Sequence, residues 1–214
     1  IGQGTPTLSV TSANMLNVGD VITAIVNTTA TYGRGGAITF SIFAGSGSAT
    51  VDTNFGVLTA IGAGTVILIA SSSGDGDYIP ASTSQLLTIN KGTPILSITS
   101  STTNVAVGGS LALSATSQAP GILPSTGAIT FGIISTIGSG SATINPSNGL
   151  ITALAFGSIT ITATSAEDTN YNSAVTSTLI TISKGTPILS LTSTSTNLAV
   201  NGSATVTATT ILPG

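Results

Sequence analysis

One stretch recurs three times and constrains everything around it. It reads IGQGTPTLSVTS from Ile1, INKGTPILSITS from Ile89 and ISKGTPILSLTS from Ile182. Each copy joins the last residue of one apolar strand directly to the first strand of the next. Self-similarity at a fixed spacing is the mark of a repeat array and outranks local signals. The interval from Gly4 to Gly92, and again from Gly92 to Gly185, is about 90 residues, the length of one small domain rather than of a solenoid coil. The expected layout follows. Residues 1–2 end a preceding repeat, 3–90 form a first repeat, 91–183 a second, and 184–214 the first two strands of a third. Ile1 aligns with Ile89 and Ile182, so the segment reads as an excerpt from a longer tandem array.

Within each repeat the pattern is β throughout. Apolar and small polar residues alternate for five to eight positions and then meet Gly, Pro, Asn or Asp. In the second repeat Leu111, Leu113 and Ala115 fall on one face of a strand and Ser110, Ala112 and Ser114 on the other. SITITATS places Ile159, Ile161 and Ala163 inward and Ser158, Thr160 and Thr162 outward. The first repeat follows suit, with strands expected at VITAIV (Val21), AITFSIF (Ala37), SATV (Ser48), VLTA (Val57), TVILIAS (Thr65) and QLLTI (Gln85). About seven short strands per repeat, with turn signals every 8–12 residues, predict an all-β fold of tandem Ig-like sandwiches joined end to end.

Composition narrows the function classes. Only 4% of residues are charged, against about 25% in ordinary domains. Arg34, Lys91 and Lys184 cannot form the basic patch that nucleic acid requires, so no nucleic-acid partner is expected. The longest strand-like apolar run, VILIA at Val66, is far short of the ~20 residues of a membrane span, so no membrane insertion is expected. Cysteine and histidine are absent, which removes disulfides and thiolate or imidazole metal sites. Without histidine or a recurring carboxylate pair, general acid–base catalysis has no candidates, and no enzyme and no cofactor are expected. Serine and threonine make up about a third of the chain, where composition so Thr-rich, Cys-free and weakly charged suits an extracellular or cell-surface protein.

The runs SATVDTNFGVLTAIGAGTVILIAS and SATINPSNGLITALAFGSITITATS resemble bacterial Ig-like repeats. So do GDGDYIPA and EDTNYNSA before the last strand, and the KGTP opening of the next unit. The resemblance covers the whole chain. It implies the sandwich fold and membership of a tandem array of the kind found in stalks, adhesins and filaments of large secreted bacterial proteins. It implies no catalytic or ligand residues, because the shared positions are structural.

Comparison of the copies yields the candidate contact residues. Ile67 and Ile69 stand where the second repeat has the outward Thr160 and Thr162. Val21 and Ile25 stand where the second repeat has Ser110 and Ser114, and the third Ser203 and Thr207. Contiguous apolar residues on outer faces mark contacts. A weakly charged chain also tends to associate. Val21, Ile25, Ile67 and Ile69 are therefore expected to make lateral contact with identical chains, from opposite sheets. The joint between Ile89 and Thr93 is short, and short joints restrict motion.

Other features read as structural. Asp75 with Asp77, and Glu167 with Asp168, offer two carboxylates each, but their spacing differs between copies. An Asx-type turn with Tyr78 or Tyr171 packed over the sandwich end fits better than a Ca²⁺ site, which needs six to eight oxygens. Lys91 and Lys184 recur at the seam as charges that discourage edge pairing. The expected role is a structural segment of a secreted filament or stalk. The alternative is an adhesin whose loops bind a glycan or other surface ligand, with Tyr32, Tyr78 and Tyr171 as the only loop aromatics. A third is a spacer attached to an enzyme.

Overall fold

The computed structural model describes residues 2–31 and 34–211. Every regular element among them is a β-strand. The chain divides into two compact units. One comprises Ile1–Ile95, Ser117–Ala128 and Ser165–Ala174, the other Leu96–Thr116, Ile129–Thr164 and Val175–Gly214.

The first unit holds β1 (Leu8–Val10), β2 (Met15–Asn17), β3 (Val21–Thr23), β4 (Val26–Thr28), β5 (Ile38–Ala44), β6 (Ser48–Val51), β7 (Val57–Gly62), β8 (Gly64–Ser72) and β9 (Ala81–Asn90). One sheet has the order β2-β9-β8-β5, the other β3-β7-β6, and β1 pairs separately with β4. Strict alternation builds the core between the two sheets. Val66, Leu68 and Ala70 of β8, Leu87 and Ile89 of β9, and Leu58 and Ala60 of β7 are buried together with Leu16, Val18 and Phe40. Each such Leu, Ile or Val contributes about 1.5–3 kcal/mol by leaving water.

Two features of this sandwich were not readable from periodicity. VITAIV forms two strands instead of one, because the chain changes hydrogen-bonding partner at Ala24. Val21–Thr23 ladders with Thr59–Val57 of β7, and Val26–Thr28 with Val10–Leu8 of β1. Between them Ala24 N–H donates to Gly56 O at 2.9 Å, and Ile25 O accepts from Thr11 N–H at 2.8 Å. The second feature is β2, which runs parallel to the last strand in the register Met15↔Thr88, Leu16↔Ile89 and Asn17↔Asn90.

The remaining strands are β10 (Ile95–Ser100), β11 (Asn104–Ala106), β12 (Ser110–Gln118), β13 (Ile129–Ile137), β14 (Ser141–Ile144), β15 (Leu150–Ala155), β16 (Gly157–Ser165), β17 (Ala174–Ser183), β18 (Ile188–Ser193) and β19 (Val206–Ile211). They repeat the arrangement, with sheets β10-β12-β15-β14 and β11-β17-β16-β13. Here the counterpart of the broken strand is the continuous β12. Ile159, Ile161, Ala163, Ile180 and Ile182 are fully buried, on the faces that alternation assigns to Ile159, Ile161 and Ala163. β11 again runs parallel to the last strand, with Val105 opposite Ile182. β18 and β19 form an antiparallel pair of their own. Two facing sheets, with the early strand parallel to the last, make an all-β, Ig-like sandwich.

Leu68→Ala, inside the core, should lower unfolding free energy by about 2–5 kcal/mol. Ile67→Thr, one residue away on the outer face, should cost about 1 kcal/mol or less. Urea titration of both variants checks this, and a larger loss for Ile67→Thr than for Leu68→Ala would mean that β8 is turned the other way.

Candidate functional site

The outer face of the β2-β9-β8-β5 sheet carries an apolar row. Ile67 on β8 lies opposite Phe43 on β5 and opposite Leu86 on β9, so the three stand side by side across three strands. Opposed side chains in such pairs have Cβ atoms about 4.5–5.5 Å apart, close enough to act as one surface. Phe43 is 64% exposed and Leu86 60%, whereas the central Ile67 is half-buried between them. Ile69, one step along the same face, is also half-buried and lies between Ser41 and Ser84. On the other side of the row the exposed Met15 pairs with Thr88, which faces Thr65.

Val21 and Ile25 are exposed, at 61% and 57%. They belong to the opposite side of the sandwich. Val21 pairs with Thr59, which faces Thr50 on its other flank, and Ile25 follows at the break between β3 and β4. Ile67 and Ile69 thus share one face, and Val21 and Ile25 lie apart from them. Phe43, Leu86 and Met15 were missed by comparing copies. The signal was there in the alternation: Phe40 and Ile42 face inward, so Phe43 faces out, and Leu87 and Ile89 do the same for Leu86. In the second repeat the matching positions are the exposed Ile134 and Leu179, with Thr160 between them in sequence alignment.

The two tyrosine loops are built alike. Asp75 accepts N–H donors from Asp77 (2.8 Å) and Tyr78 (2.9 Å) on Oδ1 and from Gly35 (2.6 Å) on Oδ2. Asp168 accepts from Asn170 and Tyr171, both at 2.8 Å, and from Thr126 at 2.6 Å. These are Asx turns that also tie a second loop. The carboxylate oxygens are occupied by N–H donors, which is the arrangement of an Asx turn. Among the described residues no three His, Cys, Asp or Glu converge as metal ligands. Lys91 lies 3.7 Å from Glu167, and Lys184 sits 5.6 Å from the centre of the Phe156 ring. Arg34 pairs with Asp77. Tyr32 lies outside the described residues.

The tyrosines themselves differ. Tyr171 is fully buried, donates from its hydroxyl to Leu123 O at 2.6 Å, and has its phenol pushed up by burial. Tyr78 is half-buried, and hydrogen bonding with the Thr31 hydroxyl and N–H holds its phenol below the ordinary value.

No family model matches the sequence, and no curated protein matches it. Among solved structures, the chain is similar to domains 4 and 5 of the S-layer protein SbsC. Identity is 17%, over 84% of this chain and 100% of that one, at a TM-score of 0.30. It is also similar to fibronectin(III)-like modules of CbhA from Clostridium thermocellum, at 14% identity over 83% and 95% and a TM-score of 0.33. A third is a SusE-like, surface-located polysaccharide-binding protein from the heparin utilisation locus of Bacteroides thetaiotaomicron. Identity is 14%, the TM-score 0.32, and this chain spans 34% of that protein's length while 83% of it is covered. Likenesses of this size carry no argument about activity. The fold itself is read from strand order and register.

Asp168 provides a test of the loop design. Its partial burial alone would raise its pKa, but the combined donors of Thr126, Asn170 and Tyr171 outweigh that and hold it at about 2, below the ordinary 3.8. A folded value below the unfolded one stabilises the fold above 3.8, and that contribution disappears as pH falls through about 2. Asp168→Asn should flatten this acid limb in urea midpoints measured across the window. An unchanged limb would show that other groups set it.

Proposed function

We propose that the chain is a structural segment of a secreted, surface-exposed filament or stalk built of tandem Ig-like repeats, and that it packs laterally against identical chains. The observation that carries this reading is the Phe43–Ile67–Leu86 row. It is an apolar strip across three adjacent strands whose outer members are more than half exposed. Contiguous apolar surface of this kind marks contacts. The remaining surface is rich in Ser and Thr and nearly free of charge, so it offers little repulsion between neighbouring chains.

The sequence repeats supply the second line of support. Each seam passes from one strand pattern to the next through Lys91–Gly92 or Lys184–Gly185 without a Gly/Ser linker. Such joints suit a stiff scaffold. Its role is mechanical and adhesive, not catalytic: the ladders and cores keep each sandwich folded, and the outer row supplies the glue.

Light scattering of the full chain across a concentration series tests the proposal. The parent should form multimers of defined mass, and Phe43→Ser combined with Leu86→Thr should return it to monomer while leaving the thermal transition in place. A parent that stays monomeric at every concentration would end the lateral-packing reading.

A further inference from the structure

The second repeat supplies part of the first repeat's core. Tyr171 stands in the loop between β16 and β17, yet its ring is fully buried in one cluster with Leu16, Val18, Leu58, Ala60 and Ile89 of the first sandwich. Among the described residues it is the largest fully buried side chain. Ala119, from the loop between β12 and β13, packs against the same cluster. The compact unit that contains the first sandwich accordingly takes in Ser117–Ala128 and Ser165–Ala174.

Hydrogen bonds hold the two loops in that place. Gly92 N–H donates to Asn170 O at 2.9 Å and Asn172 N–H to Gly92 O at 2.8 Å, so the loop is paired on both flanks of Tyr171. Ala63 N–H, from the turn between β7 and β8, donates to Asn170 Oδ1 at 3.0 Å. The loops are also tied to each other. The Tyr171 hydroxyl donates to Leu123 O at 2.6 Å, and Asp168 Oδ2 accepts from Thr126 N–H at 2.6 Å. The fit leaves no spare room. A Cβ on Gly19 would stand 2.7 Å from Pro120 O, and one on Gly121 would stand 3.0 Å from Val18 Cγ1. Packing this close transmits strain from one side to the other.

Both loops connect strands of the second repeat, so they keep this place only while those strands are paired. Domains strung along a chain ordinarily carry their own cores and can fold alone. Here the core of one is completed by loops of the next. We propose that the first sandwich and these two loops open as one cooperative unit, so that the first repeat draws part of its stability from the repeat that follows it. Stability along the chain is then a sum of repeat and seam contributions, as in stacked-repeat proteins, with a repeat of domain size. The inference concerns a single chain and stands whether or not chains pack laterally.

Hydrogen exchange of the full chain, resolved to single amides, tests it. β8 lies inside its sheet between β5 and β9, so its amides report opening of the first sandwich. Tyr171→Ala should speed their exchange about a hundredfold or more, as deletion of a buried aromatic ring does, although the substituted residue lies outside the first repeat. Asn170→Ala removes only the acceptor of the Ala63 N–H. It serves where the ring deletion fails to fold, and it should speed the same amides about tenfold. Repeating both in Phe43→Ser, Leu86→Thr chains keeps lateral contact out of the readout. β8 amides that keep the parental rate in either variant, while the amides of residues 166–173 exchange faster, would overturn the proposal.

Discussion

Side-chain alternation along β7, β8 and β9 is the constraint on which the rest of the first sandwich depends. Leu58, Val66, Leu68 and Leu87 are fully buried, and Ile89 nearly so, while their immediate neighbours are half-buried or exposed. A slip of one residue would turn all five outward and put Thr59, Thr65 and Thr88 in the core, together with Ile67 and Leu86 of the outer row. With no disulfide and very little charge, no other strong interaction would hold the misregistered sheet. The same alternation that fills the core also places Phe43, Ile67 and Leu86 in one outer row, so the core and the candidate contact surface are two sides of a single register.

The loops at the sandwich end are held by a different kind of interaction. Asp75 and Asp168 each gather N–H donors from their own turn and from a loop about forty residues away. Such charge-assisted bonds are stronger than neutral ones and set a loop's shape without needing apolar bulk. They fix the position of the tyrosine that follows, and the seam glycine then binds the loop's backbone on both sides. Glycine is needed at that point: a Cβ on Gly92 would stand 2.9 Å from both Val18 O and Pro120 Cγ.

The fold was largely legible because sheets announce themselves by period. Leu111 and Leu113, or Ile159 and Ile161, had only one face to occupy. The break at Ala24 was not legible, since VITAIV alternates as well as any unbroken strand, and the change of partner depends on where β1 and β7 lie. Nor does any pattern announce that Ser117–Ala128 and Ser165–Ala174 cluster with the first unit. Those contacts run through Tyr171, Val18 and Ala119, and through small residues such as Gly19, Ala63 and Gly121, none of which a strand period marks. Of the outer row, Ile67 and Ile69 were legible because the second repeat has threonine there. Phe43 and Leu86 were passed over because Ile134 and Leu179 are apolar too, and a comparison that looks for differences is blind to a property both copies share.

The parallel pairing of β2 with β9, and of β11 with β17, bears on how each sandwich would respond to force. In an antiparallel pair pulled from adjacent ends, hydrogen bonds open one at a time, like a zipper. A strand near the beginning of a sandwich that runs parallel to the strand ending it is pulled in the opposite direction to its partner. Its bonds at Met15–Asn17 and at Asn104–Ala106 are then loaded in shear and must fail together. Forced unfolding is governed by the unfolding rate and not by equilibrium stability. A domain of modest stability, held mainly by leucines, isoleucines and valines, can therefore withstand tension well beyond what its thermal stability alone would suggest.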